Sequence, residues 1–311
     1  MALLGRMRIS GPSFETVFEP LGLATAISAD DAALLEAVCR LYGEWRTARA
    51  TTPPRLQLRF EVGADVSGGV ATDIGVNGPR LTLRGAGVAG WADAETGRAQ
   101  ARVSPALAAD PAALAEASDT LLLFLLTRSG RIPVHAAGVL VGGTALVLAG
   151  PSGAGKSTLA LRAMQRGLPI LSDDTVYIQL QPDLRVWGFR RPLHVFPAEA
   201  PRFTDGVRLR AGRVKAVVPL SPAAAGGPLS ADRAALVVLG RGPRIALEPI
   251  DARAAVAGLS RLDPGFDLLA GPSAQAIAAL AAAGAWRLSL TDDPDAALDH
   301  LIERFADGAP G

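Results

Sequence analysis

Apolar and polar positions alternate with a period of two in three short stretches of the first 130 residues. They are residues 55–62 (RLQLRFEV), 80–84 (RLTLR) and 99–103 (AQARV). Alternation of this kind marks half-buried strands. With glycine-rich turns between them, the stretches predict a small antiparallel sheet with one wet face. Ahead of them, residues 14–50 predict a short strand and then a helix over 32–45, with Asp30 or Asp31 as its N-cap and residues 51–54 (TTPP) as its end. Asp110 and Pro111 open a second helix running to Arg128, with proline at the first helical position. The apolar end of this helix is expected to pack against a following domain. Gly130 closes it, which divides the chain into an α+β domain over 1–130 and a second domain over 131–311.

From Ile132 the pattern changes to continuous apolar runs interleaved with helical stretches. Residues 133–141 and 144–149 (TALVLA) read as two strands of a hairpin turned at Gly142-Gly143. Further strands are expected at 168–171 and 175–180, followed by a strand pair at 233–239 and 245–249. Helices at 251–260 and 273–283, a last strand at 285–290 and a closing helix at 294–305 complete the pattern. Residues 223–227 (AAAGG) read as a flexible loop.

The run 144–149 leads directly into Gly150-Pro151-Ser152-Gly153-Ala154-Gly155-Lys156-Ser157, which fits G-x-x-x-x-G-K-[ST]. Good helix formers follow from Thr158. Strand, glycine loop and helix together form a phosphate cradle of backbone N–H groups at a helix N-terminus. The candidate nucleotide-binding residues are Gly150, Ser152, Gly153, Ala154, Gly155, Lys156, Ser157 and Thr158. Lys156 suits the β- and γ-phosphates and the Ser157 hydroxyl suits Mg²⁺, so ATP and Mg²⁺ are the expected cofactors.

The strand after the loop helix ends in Ser172-Asp173-Asp174. Laid beside the loop strand, it brings two carboxylates to the phosphate end, where α/β folds place ligands. One carboxylate can hold Mg²⁺ and the other can accept a proton from an attacking hydroxyl. His135, alone on an apolar strand, reads as a core group on spacing alone.

Composition narrows the classes. A net charge of +1 argues against broad nucleic-acid binding. Cys39 is the only cysteine, which excludes an internal disulfide or a cysteine metal cluster; it reads as a buried thiol of the first helix. Residues 1–8 carry no secretory pattern, and the apolar run 121–126 (LLLFLL) is far shorter than a membrane span. A cytoplasmic protein without a membrane partner is expected. Of the 31 basic residues only Lys156 and Lys215 are lysines. A lysine kept against that arginine bias is a candidate phosphate contact, which singles out Lys215. The arginines at 185, 190, 191, 202, 208, 210 and 213 are candidates for nucleotide or acidic-substrate contacts, most of them on a solvated basic face.

The segments His135-Ala136-Ala137-Gly138-Val139-Leu140, the glycine loop, Arg166-Gly167 and Leu171-Ser172-Asp173-Asp174 together resemble the HPr kinase/phosphorylase catalytic domain, over roughly residues 131–305. The resemblance implies a mixed α/β P-loop kinase fold shared with ATP-dependent phosphoenolpyruvate carboxykinase. It implies Asp173 as the base toward a substrate hydroxyl, Asp174 and Ser157 as metal ligands, and His135 as the group that tunes the aspartates. The bifunctional enzymes carry a metal-binding glutamate in a Glu-Val-Arg-Gly-x-Gly context. Here the corresponding region reads Arg191-Pro192-Leu193-His194-Val195-Phe196-Pro197-Ala198-Glu199, with Glu199 as the acid available. That departure is more similar to the HPr-kinase-like proteins of peptide-modification clusters, some of which phosphorylate a peptide serine.

The implied activity is Mg-ATP-dependent transfer of a phosphoryl group to a hydroxyl of a peptide, protein or small molecule. Self-association into a homo-oligomer is implied by the resemblance alone. The competing class is a nucleotide-binding regulatory or scaffold module. A transport-type ATPase is disfavoured by the lack of an LSGGQ-like segment.

Overall fold

The computed structural model describes residues 13–46, 53–66, 73–85, 87–203, 207–210, 213–259 and 270–306, with the backbone alone at 207–210, 213, 258 and 270. The chain divides into two compact units at Ser129 and Gly130.

The first unit is one seven-stranded sheet covered by helices. Its strands are β1 (Phe14–Phe18), β2 (Thr25–Ala29), β3 (Leu56–Val62), β4 (Asp73–Asn77), β5 (Arg80–Gly85), β6 (Val88–Asp93) and β7 (Arg98–Val103). They lie in the order β1-β2-β3-β7-β6-β5-β4. The sheet is mixed where the alternation predicted an antiparallel one, because β2, β3 and β7 run parallel. For β2 and β3 the cause is α1 (Ala32–Leu41), a crossover that returns the chain in the same direction; for β3 and β7 it is the intervening antiparallel run β4–β5–β6. Asp31 caps α1 by accepting from the Leu34 N–H at 2.8 Å. The helix stops at Leu41, and a 3₁₀ turn, Gly43–Trp45, takes the place of its expected last turn. Residues 51 and 52, read as part of the helix end, lie outside the described residues.

A short α2 (Pro105–Ala108) precedes α3 (Pro111–Arg128), which is capped by Asp110 through the N–H groups of Ala112 and Ala113. Leu114, Leu121, Leu122 and Leu125 of α3 are buried, and the helix packs on β6, β7 and α1 of its own unit. Tyr42 donates its hydroxyl to Asp119 at 2.8 Å. Cys39 is half-buried where a fully buried thiol was expected. Burial raises its pKa, the main effect beside smaller ones from Arg46, Glu36 and Arg40.

The second unit begins with β8 (Ile132–Val134), β9 (Ala137–Val141), β10 (Thr144–Ala149), α4 (Lys156–Gln165), β11 (Ile170–Ser172), β12 (Val176–Gln179), β13 (Arg185–Gly188) and β14 (Leu193–Val195). It continues through β15 (Val207–Arg210), β16 (Arg213–Val218), α5 (Pro222–Ala225), β17 (Ser230–Ala231), β18 (Arg233–Arg241) and β19 (Ala246–Pro249). It closes with α6 (Ala252–Leu259), α7 (Ala270–Ala283), β20 (Ala285–Leu290) and α8 (Pro294–Phe305).

The main sheet has the order β11-β9-β10-β18-β20-β19. Strand β10 explains its own sequence. Leu146 and Leu148 face a core shared with α4 and α8, while Ala145, Val147 and Ala149 face another shared with α6 and α7. A strand buried on both sides reads as an unbroken apolar run. The β9–β10 hairpin turns at Gly142 and Gly143, both at positive φ (+54° and +78°), as a two-residue hairpin of this twist requires.

Three pairings differ from the sequence reading. The run 133–141 is two strands, with β8 in a four-stranded sheet of order β17-β13-β12-β8 and β9 in the main sheet. Strands β18 and β19 are not a pair, since β20 inserts between them. Strand β11 pairs with β9 and not with the loop strand β10. Strands β14, β15 and β16, none of them expected from the sequence, form a three-stranded sheet of order β14-β16-β15. Residues 222–225 are a helical turn capped by Ser221, and not a loose loop. Among the described residues no helix is long and apolar enough to cross a membrane.

Candidate active site

The glycine loop joins the buried end of β10 to α4. Gly155 is the N-cap of α4 at φ +104°, a left-handed conformation that favours glycine. The Leu159 N–H makes the first helical bond, to Gly155 O at 2.9 Å. The N–H groups of Lys156, Ser157 and Thr158 ahead of it have no acceptor within the helix, the ordinary condition of a helix start and a ready donor set for an anion. The Ala154 N–H closes the loop on Pro151 O at 3.0 Å. Lys156 is buried, and its ammonium donates to Gly150 O at 2.7 Å and Pro151 O at 3.3 Å. Burial lowers its pKa; Asp174 partly offsets this and Lys215 adds to the lowering.

The aspartates arrive by an indirect route. Strand β11 is antiparallel to β9, and β9 to β10, so β11 and β10 point the same way and end at the same edge. They stand two strand spacings apart, roughly 10 Å. The Ser172 Oγ accepts from the N–H of Asp174 at 3.3 Å and of Thr175 at 3.1 Å. That turn seats both carboxylates between β11 and β12.

Asp173 points inward, 5% exposed, and its Oδ2 accepts the His194 backbone N–H of β14 at 2.7 Å. Asp174 is half-buried, with Oδ1 3.5 Å from His135 Nδ1. His135 is outside any strand, at the break where the chain leaves the β8 sheet for the β9 sheet. The core role read from its spacing does not hold, since its side chain is 38% exposed. On the other side of the loop strand, β18 ends in Leu239-Gly240-Arg241 without an acid.

Two glycines hold this corner together. A Cβ on Gly188 would stand 2.6 Å from Leu171 O and 2.7 Å from Leu171 Cα, so only glycine lets β13 approach β11 this closely. Gly138 makes the matching approach of β9 to Val176 and Leu171.

Glu199 follows β14 in a 3₁₀ turn, and its Oε2 is 3.8 Å from an Arg162 guanidinium nitrogen on α4. Arg162 also faces Asp295 of α8 at 3.7 Å. Among the described residues no three His, Cys, Asp or Glu converge to hold a metal, so Glu199 completes no acidic cage with the aspartates. Oxygen donors for a hard cation remain in the Asp174 carboxylate and the Ser157 hydroxyl. That set suits Mg²⁺, which keeps several waters and takes one or two carboxylates beside phosphate oxygens.

The basic residues divide by role. Arg190 is 5% exposed and donates to four carbonyls: Ile170 at 2.8 Å, Ala225 at 2.6 Å, Gly227 at 2.8 Å and Pro228 at 2.6 Å. It is a structural clamp and not a substrate contact. Arg191 lies over the Phe189 ring at 4.4 Å and donates to Arg190 O. Arg185 reaches Ser230 Oγ at 3.3 Å. Arg202 is exposed, and the side chains of Arg208, Arg210 and Arg213 lie outside the described residues. Lys215 of β16 sits with Nζ 3.5 Å from the centre of the Phe196 ring. The main-chain grip of His194 on Asp173 and the clamp at Arg190 carry no sequence signal, because both are contacts to or from backbone across long separations.

No family model and no curated protein matches the chain. Among solved structures it is similar to the HPr(Ser) kinase/phosphatase from Coxiella burnetii, at 14% identity and a TM-score of 0.29, over 55% of this chain and 93% of that one.

Proposed function

We propose that the unit from Gly130 onward is a Mg-ATP-dependent kinase that transfers the γ-phosphoryl group to a hydroxyl, a serine of a peptide or protein or the alcohol of a small molecule. The carrying observation is the shared edge: a P-loop lysine and paired aspartates end on one side of the sheet, with Asp174 close enough to Lys156 to act on its charge. A nucleotide-holding module needs the loop alone; a second carboxylate beside the metal candidate is what phosphoryl transfer adds.

In this reading the loop N–H groups and Lys156 hold the β- and γ-phosphates. Asp174 and Ser157 would hold Mg²⁺, which supplies neutralisation of phosphate charge when bound. Asp173 takes the acceptor's hydroxyl proton as that oxygen bonds to the γ-phosphorus. The bond from the γ-phosphorus to the β–γ bridging oxygen breaks, and ADP leaves with that electron pair. The His194 N–H fixes the plane of the Asp173 carboxylate toward the acceptor, and His135 orients Asp174.

The test is transfer from γ-labelled ATP with Mg²⁺ to serine-containing peptides and free hydroxyl compounds, for wild type and Asp173→Asn. Asparagine keeps an oxygen acceptor for His194 and loses the base, so transfer falls about 10²- to 10⁴-fold with ATP affinity retained. A wild type that binds ATP, transfers nothing and matches the variant would instead be a nucleotide-dependent regulatory module.

A further inference from the structure

The candidate base is held at the free edge of a small sheet. Strand β14 ends the order β14-β16-β15, and the His194 N–H reaches Asp173 Oδ2 at 2.7 Å on the side away from β16. The carboxylate therefore lies beside β14, where a further strand would otherwise run. One face of β14 is closed, since Leu193 and Val195 are buried in the core shared with α4. The opposite face carries His194 and, two positions on, Phe196, whose backbone is still extended (φ −65°, ψ 142°). The register sets Val195 against Ala216 and so brings Phe196 to Lys215. The ammonium 3.5 Å from the ring centre confirms that placement. An acceptor that reaches Asp173 past β14 comes over this second face.

Among the described residues six large apolar side chains are exposed, and three of them, Phe196, Phe203 and Val214, belong to this sheet and the turns joining β14 to β15. Exposed apolar surface gathered in one region marks contact with another molecule. Of the three, Phe196 is the one tied to the base by the chain itself. One hydrogen bond and two residues separate them, so its Cα lies no more than about 11 Å from the Asp173 carboxylate. Lys215 holds one side of the ring, and 37% of the residue stays exposed. An extended peptide advances about 3.3 Å per residue, so a side chain two or three positions from a hydroxyl at Asp173 comes over the ring.

We infer that Phe196 is the floor of an acceptor subsite for a large apolar group held about 7–10 Å from the hydroxyl that receives the phosphoryl group, which in an extended peptide is a leucine-sized side chain two or three positions from the serine. The inference rests on the kinase reading in taking Asp173 as the base. It makes position 196 a determinant of which hydroxyl is chosen, separate from the chemistry of transfer.

The experiment gives the full chain, Phe196→Ala and Phe196→Leu a set of short serine peptides in a glycine background, with leucine placed singly two or three residues to either side of the serine. Transfer from Mg-ATP is read as kcat/KM for each peptide. Binding of the same peptides, fluorescently labelled and with Mg-ADP present, is read by anisotropy without turnover. Expected is a gain of about ten- to thirtyfold over the all-glycine peptide for leucine at one of these positions. Phe196→Ala should lose that preference and Phe196→Leu keep most of it. The preference is a ratio between two peptides on one sample, so a partly unfolded variant does not imitate its loss. A wild type indifferent to leucine at every position would overturn the subsite, as would a preference that survives Phe196→Ala. The two readings fail separately. A wild type that binds the leucine peptide through Phe196 yet transfers no phosphoryl group sinks the kinase and leaves this subsite. A transferring enzyme blind to the neighbouring residues does the reverse.

Discussion

Replacing Arg190 with methionine is the sharpest test of how the aspartate strand is held. The guanidinium is nearly inaccessible and serves four carbonyls at 2.6–2.8 Å. Hydrogen bonds to a charged group contribute about 1.5–3 kcal/mol each, so four would sum to roughly 6–12 kcal/mol. Removing the cation also recovers the several kcal/mol spent in desolvating it. The net loss expected is about 3–5 kcal/mol, a large share of a typical stability of 5–15 kcal/mol. At roughly 2–4 °C per kcal/mol for a unit of this size, the unfolding midpoint falls by about 6–20 °C. Thermal unfolding followed by tryptophan fluorescence reads the shift, and urea titration reads the free energy. Because Ile170 O lies on β11, phosphoryl transfer should fall with stability, while Arg190→Lys recovers part of both. A loss below about 1 kcal/mol for the methionine variant would refute the clamp, since one buried and three part-buried carbonyls cannot be abandoned so cheaply.

Gly188→Ala sets a methyl against the Leu171 backbone at 2.6–2.7 Å; a destabilisation of about 1–3 kcal/mol is expected by thermal unfolding, and an unchanged midpoint would show that β13 can retreat freely. For Lys156, burial holds the free ammonium below the ordinary lysine value, and a bound polyphosphate raises it again. Binding at alkaline pH therefore takes up a proton, and ATP affinity falls as pH rises through the free-state value. Calorimetry in buffers of different ionisation enthalpy reads the uptake, which should vanish in Lys156→Met.

Local signals in the sequence carried far in this chain. Helix α3 was legible from Asp110 and Pro111, because a cap and a first-turn proline act within four residues, and α8 was legible over 294–305. The glycine loop and its hairpin were legible for the same reason. What escaped was pairing. Nothing in Ile132–Val134 says that it joins β12 while Ala137–Val141 joins β10. A period-two pattern specifies which face is buried and not which strand lies alongside. The site divides along the same line: Lys156, Asp173, Asp174 and His135 were named from motif and resemblance, and the structure places them at one corner. The sheet of β14, β15 and β16 was not anticipated, and with it came Phe196, the His194 N–H and the ring contact of Lys215. Glu199 was named from its type and is turned to Arg162 on α4 instead.

The grip on Asp173 comes from a peptide N–H rather than from a side chain. Any of the other amino acids except proline at position 194 still supplies that donor. A complete substitution scan there should show broad tolerance and one sharp gap, unless the His194 imidazole has a task of its own. The contact is thus shielded from point mutation, and a comparison of related sequences would leave no trace of it, however much the reaction depended on it. Shielded contacts of this sort yield only to changes in the chain itself, such as an ester in place of the amide that keeps the shape and deletes one hydrogen.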